Sequence, residues 1–131
     1  MSTLQVETIK NPTSSNTVNS EQLVQGSATA WVNFNGSGTV AIRDSYNVSS
    51  ITDNGTGRYS VNFATIMEND NYAMSAALNH QINATARIIH EDHGIIRSVS
   101  SISVHCGYIS SSNNYTLYDH SNISTIVHGG K

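Results

Sequence analysis

Apolar and polar residues alternate with a period of two over most of the chain from Gly26 onward. Ala30, Val32 and Phe34 fall on one parity, and Trp31, Asn33 and Asn35 on the other. Val40 and Ile42 resume the apolar parity after a Gly36-Ser37-Gly38 turn. Tyr59, Val61 and Phe63 alternate with Arg58, Ser60, Asn62 and Ala64. Tyr72, Met74, Ala76 and Leu78 alternate with Ala73, Ser75, Ala77 and Asn79. Ile102, Val104, Cys106 and Tyr108 alternate with Ser101, Ser103, His105 and Gly107. Successive side chains of a strand point to opposite faces, so each run predicts a strand with one apolar face.

The punctuation agrees with strands. Asp53-Asn54-Gly55 separates residues 48–51 from 59–63, and Asn-Gly supplies the positive φ of a tight hairpin. Asp92-His93-Gly94 marks a second hairpin tip. No sustained 3.6-residue stripe occurs, and residues 66–71 allow one helical turn at most. Ahead of Gly26 lies a strand-like run, residues 3–9, cut off by Asn11-Pro12 and followed by a polar connector over 13–25. Residues 12–19 and 110–114, rich in Ser and Asn, read as loops. Turn signals about 8–15 residues apart favour a sandwich or barrel. The expected fold is all-β: an antiparallel, jelly-roll-like β-sandwich over residues 26–131, with an extended N-terminal strand and connector over residues 1–25 serving as an assembly arm.

The polar parity raises a difficulty that composition sharpens. Only 11% of residues are charged, where about 25% is usual, and Ser, Thr and Asn take their place. Edge strands without charges invite pairing with other chains. Such a chain must close its sheets or assemble. Its N-terminal strand, set off by the connector, is placed to pair with a neighbouring subunit, since exchanging an arm is a low-cost route to an oligomer; the alternative is a terminus without fixed structure. Leu4, Val6 and Ile9 of the arm, and Trp31 on the outward parity, are the expected subunit-facing residues, large aromatics being favoured at interfaces.

Length and charge exclude several classes. The chain has 131 residues, enough for one domain and too few for a two-lobed enzyme. A net charge of −3 builds no basic face for nucleic acid. No apolar run approaches the roughly 20 residues that span a bilayer, and residues 1–12 lack the pattern of a signal peptide, so synthesis in a cytosol is expected. Cys106 is the single cysteine, so a disulfide within one chain is impossible.

Candidate chemistry is sparse. His90-Glu91-Asp92-His93 groups four potential ligands, but a metal site needs three or four that converge, and this segment reads better as a hairpin tip; no metal or other cofactor is expected. His105 and Cys106 are strand neighbours facing opposite sides, so they form no nucleophile–base pair. Asp119-His120-Ser121 holds the letters of a triad, but triads assemble from separate segments. No nucleophile elbow, P-loop or dinucleotide fingerprint is present, and no enzymatic activity is expected. Tyr115 and Tyr118, with Asn113, Asn114, Asp119 and His120 around them, suit a sugar: ring faces pack on CH groups while amides, carboxylate and imidazole take hydroxyls. The alternative is an edge hairpin with ordinary surface tyrosines.

Residues 26–71 carry a framework: Ala30-Trp-Val-Asn-Phe-Asn-Gly36, Gly38-Thr-Val-Ala-Ile-Arg43, Asn47-Val-Ser-Ser-Ile-Thr-Asp-Asn-Gly55, Gly57 and Tyr59-Ser-Val-Asn-Phe63. It resembles a module of tail-fibre and minor structural proteins of tailed bacteriophages, over about half the chain, and the opening strand looks like the one that often begins such proteins. The resemblance implies a virion component assembled in the host cytoplasm, homotrimeric, contacting other tail or capsid proteins and meeting a polysaccharide or protein on the host surface. Alternatives are a head-decoration or head-fibre protein of the same particle, a monomeric lectin-like module, and, least favoured, a small hydrolase or metal protein using residues 90–93.

Overall fold

In a computed structural model the described residues are 2–3, 5–10, 17–79 and 86–131. The fold is all-β, with antiparallel sheets and one short helix. The arm holds β1 (Thr8–Lys10), β2 (Thr17–Asn19) and α1 (Ser20–Gly26). The body holds β3 (Ala28–Asn35), β4 (Ala41–Tyr46), β5 (Val48–Asp53), β6 (Arg58–Phe63), β7 (Tyr72–Leu78), β8 (Ala86–Glu91), β9 (Ser101–Ile109), β10 (Tyr115–Leu117) and β11 (Ile123–Gly129).

One body sheet runs in the order β4-β3-β11-β7; the other runs β10-β9-β6-β5, with β8 also on β9. Their apolar faces share one core. Ala30, Val32, Phe34, Ile123 and Val127 come from the first sheet, and Tyr59, Val61, Phe63, Ile102, Val104 and Cys106 from the second. Edge-to-face contacts cross the gap: the Phe34 and Tyr59 rings lie 5.3 Å apart, and the Phe63 and Tyr72 rings 5.9 Å apart. Such pairs add about 1 kcal/mol beyond area burial. Cys106, buried in this core, has its thiol pushed up to about 12 by desolvation and is inert at neutral pH.

The β3–β4 and β5–β6 hairpins form where the Gly-rich turns place them. At the first, the Asn35 side-chain amide bridges the Ser37 and Thr39 carbonyls. The second expected tip differs. β8 and β9 do pair, but residues 92–100 form a long connection rather than a tight turn, and Asp92 points inward. Residues 66–71 form bends and no helical turn.

The arm contains more structure than the polar connector suggested. β1 and β2 form a hairpin with Ile9 opposite Val18. The next residues make α1 because Asn19 caps it: its side chain accepts from the Gln22 N–H at 2.7 Å, and the Gln22 side chain accepts from the Asn19 N–H at 3.0 Å. This reciprocal capping box satisfies two end donors. Every residue of both arm strands is exposed, and α1 buries none.

Candidate functional site

The six residues of the expected sugar-binding loop separate into two groups. β9 pairs with β6 over its first half and with β10 over its second. Residues 110–114 connect β9 to β10 at that junction, and residues 118–122 cross from β10 to β11. Asn113, at φ +59°, makes the turn, its N–H donating to the Ser110 carbonyl at 2.9 Å. Asn114 is exposed beside it. The exposed Tyr115 tilts against His90 at 5.7 Å, and the exposed Tyr118 stands edge-on to Tyr108 and His120 at 5.8 and 5.3 Å. These four residues form the accessible surface.

Asp119 and His120 turn inward. The Asp119 Oδ1 accepts from the Gly57 N–H and the Tyr59 hydroxyl, both at 2.7 Å. Burial, reinforced by that carboxylate, raises the Tyr59 phenol far above its ordinary range. His120 is fully buried. Desolvation lowers its pKa, against the opposing pull of the Gly107 and Asn79 backbone. These two residues hold the loop from beneath.

The His90–His93 run also diverges. Glu91 pairs with Arg97, whose guanidinium lies 5.0 Å over the Tyr72 ring. His93 is exposed. Asp92 is 2% exposed; its Oδ1 accepts from the Gly94 N–H at 2.8 Å, and its Oδ2 lies 3.2 Å from Arg58 and 2.8 Å from His105 Nε2. His90 stands opposite His105 across the β8–β9 ladder, ring to ring at 5.4 Å. No group of three or more His, Cys, Asp or Glu is placed to hold a metal ion among the described residues. The sequence pattern missed the convergence of Arg58 and His105 on Asp92. Those residues come from β6 and β9, and only the strand register brings them together.

This cluster and the buried His120 set a pH dependence. Burial lowers His105 despite the neighbouring carboxylate. For Asp92, burial raises the pKa, but the Gly94 amide, Arg58 and His105 outweigh it and leave the value lowered. His105 and His120 have the ordinary value of 6.5 when unfolded. The unfolded chain therefore binds their protons first, and the stability they confer as neutral groups is lost as pH falls below 6.5. Asp92 adds a further loss below its ordinary 3.8. The urea midpoint is expected to fall between pH 7.5 and pH 5; an unchanged midpoint refutes this account.

A third surface lies on the outer face of the four-stranded sheet. Trp31 is opposite Tyr46 on β4 and opposite Ile126 on β11, and Ile126 is opposite Ser75 on β7. Tyr46, Trp31 and Ile126 thus form one apolar row across three strands. Tyr46 is 58% and Ile126 42% exposed, and Trp31 is half-buried. Ala73, Ala77 and Ser124 flank the row, and the exposed Arg43 and Asp44 stand at its β4 rim. Beyond Tyr46 the surface dips into an open groove of about 300 Å³ between Asn47, Ile66, Glu68 and Ser27. Of the other residues expected at subunit contacts, Val6 and Ile9 are exposed, and Leu4 lies outside the described residues. Ile126 was not singled out from the sequence because β11, far along the chain, is what brings it beside Trp31; Tyr46 shares the parity of Val40 and Ile42, and the register shift between β3 and β4 turns it outward.

Comparison with protein-family models, with curated proteins and with solved structures finds no match to this chain.

Proposed function

We propose that this chain is a non-enzymatic structural subunit of a tailed-bacteriophage particle, a tail-fibre or spike component that assembles as a homotrimer and contributes to attachment to the host surface. The observation that carries the assembly part is the Tyr46–Trp31–Ile126 row. A sheet face that carries a Trp on an inner strand with a Tyr and an Ile beside it is an unusual thing for a monomer to expose. Contiguous apolar patches of this kind mark interaction sites, and their aromatic residues are the usual anchors of an interface. The resemblance of residues 26–71 to tail-fibre modules supports the phage assignment. The exposed group Asn113, Asn114, Tyr115 and Tyr118 supports a carbohydrate or protein contact at the opposite sheet.

Light scattering coupled to size exclusion tests the assembly. A mass of about 42 kDa, three times the 14.1 kDa chain, is expected at micromolar concentration, and a monomer overturns it. An antibody raised against the chain is expected to label tails in electron micrographs of the phage. Label confined to heads replaces the fibre role with head decoration, and particles without label overturn the virion role.

A further inference from the structure

We infer that the N-terminal arm of one copy covers the Tyr46–Trp31–Ile126 face of the next copy, a heterologous contact that closes into a ring. This rests on the assembly reading above and specifies the surfaces that carry it.

The arm needs a cover that its own chain does not give it. Its hairpin has three residue pairs and its helix seven residues. An isolated two-stranded hairpin is marginal in water at best, and a helix this short is far below the length that holds by itself. Packing normally supplies the difference, yet the arm elements bury no residue. They do have apolar residues to bury. Ile9 and Val18 are cross-strand partners and share a face of the hairpin, and Leu23 and Val24 are exposed on α1, the latter at 51%.

The arm is fastened to its own body at the end of α1. The Lys131 ammonium donates to the Val24 carbonyl, and to the Ser27 carbonyl at 3.2 Å and hydroxyl at 2.9 Å. The Thr29 hydroxyl donates to the Gly129 carbonyl at 2.7 Å. These bonds pin the end of α1 where β3 and β11 meet at the end of the sheet. With that end held, Ile9, Val18, Leu23 and Val24 remain exposed, and the face beginning at β3 stays open.

The face is large enough to seat the arm. Four strands about 4.8 Å apart, with lengths near 25 Å, give a face of roughly 475 Å². The three-pair hairpin and seven-residue helix cover about 200 Å² of it, so the arm contact adds to the total of about 1,000 Å² that a specific interface requires and does not supply it alone. In a closed ring each copy contributes both surfaces, which doubles the area buried per subunit. Charge is mixed on both surfaces, with Glu7, Lys10 and Glu21 on the arm and Arg43 and Asp44 beside the face, so the contact brings no block of like charge together. A head-to-tail contact of this kind closes when its rotation is that of a ring.

Cysteine pairs test the contact in the full-length chain. Ile9→Cys and Leu23→Cys, each combined with Ile126→Cys, are oxidised under mild conditions and run on non-reducing gels, with native Cys106 buried and inert. Mixing single-cysteine arm and face variants is expected to give cross-linked dimers. The double variants are expected to give closed multimers carrying most of the protein. As an independent measure, Ile9→Asp with Leu23→Asp is expected to raise acrylamide quenching of Trp31, the only tryptophan, several-fold. Intramolecular cross-links overturn the inference. Oligomers by light scattering, with neither cross-link nor change in quenching, overturn the arm contact and leave the assembly standing. Monomers overturn both.

Discussion

Gly57→Ala is expected to cost about 3–5 kcal/mol, the range of the most damaging single substitutions. Gly57 sits at φ +66°, where a side chain is strained. A Cβ there would lie 2.3 Å from the Cys106 carbonyl oxygen and 2.8 Å from the Tyr118 nitrogen. Both are backbone atoms, so no rotamer change relieves the clash. The residue is also tied on both sides. Its N–H donates to Asp119, and its carbonyl accepts from the Cys106 N–H at 2.7 Å. It stands where β9 exchanges β6 for β10, so a displaced Gly57 disturbs two strand pairings. Gly38→Ala is the control. Its φ is +68°, but no atom lies within 4 Å of the added carbon; only the backbone term remains, about 1 kcal/mol. Urea unfolding of the two variants separates steric from conformational cost. A Gly57→Ala loss within 1 kcal/mol of the control refutes the packing account.

The body strands were legible in the sequence because each buries one parity. Ala30, Val32 and Phe34 on β3, and Ile102, Val104 and Cys106 on β9, are all buried, as the alternation required. On β7, Met74, Ala76 and Leu78 are only half-buried, since β7 is at a sheet edge and the core thins there. α1 was illegible as a stripe because seven residues make two turns; its legible signal was Asn19 with Gln22 three positions later. Asp92 and His120 were misplaced for a common reason. A polar residue in a turn-rich segment reads as exposed, and what buries these two is contributed by distant strands: Arg58 and His105 around Asp92, and the Gly107 region around His120. The same limit hid Ile126 beside Trp31, and a register shift between β3 and β4 hid Tyr46. Parity showed that Trp31 faces outward, but not what stands beside it.

One contact that fixes the candidate attachment loop to the body is the Asp119 carboxylate, and its removal is expected to be nearly as damaging as the Gly57 change. Tyr59 is fully buried. Its hydroxyl lies 2.7 Å from both the Gly36 carbonyl and Asp119 Oδ1. One proton faces two acceptors, and hydrogen bonds to a charged group are the stronger ones, so Asp119 is the principal partner. Asp119→Ala takes an acceptor from the Gly57 N–H and from this hydroxyl together. A loss of about 2–3 kcal/mol is expected: the Gly57 N–H is left without its partner in a poorly solvated place, and the Tyr59 hydroxyl exchanges a charged acceptor for the Gly36 carbonyl. Asp119→Asn keeps an oxygen in position and is expected to recover more than half of that. Tyr59→Phe removes one of the two donors, so Asp119→Ala in that background is expected to cost at least about 1 kcal/mol less than in the native chain, as for residues in one network. Additive losses in the double variant, measured by urea unfolding, would show that the carboxylate and phenol act independently. Limited proteolysis adds a local readout: Asp119→Ala is expected to speed cleavage within residues 110–118, and unchanged cleavage there would mean that the loop is held by its tyrosines instead.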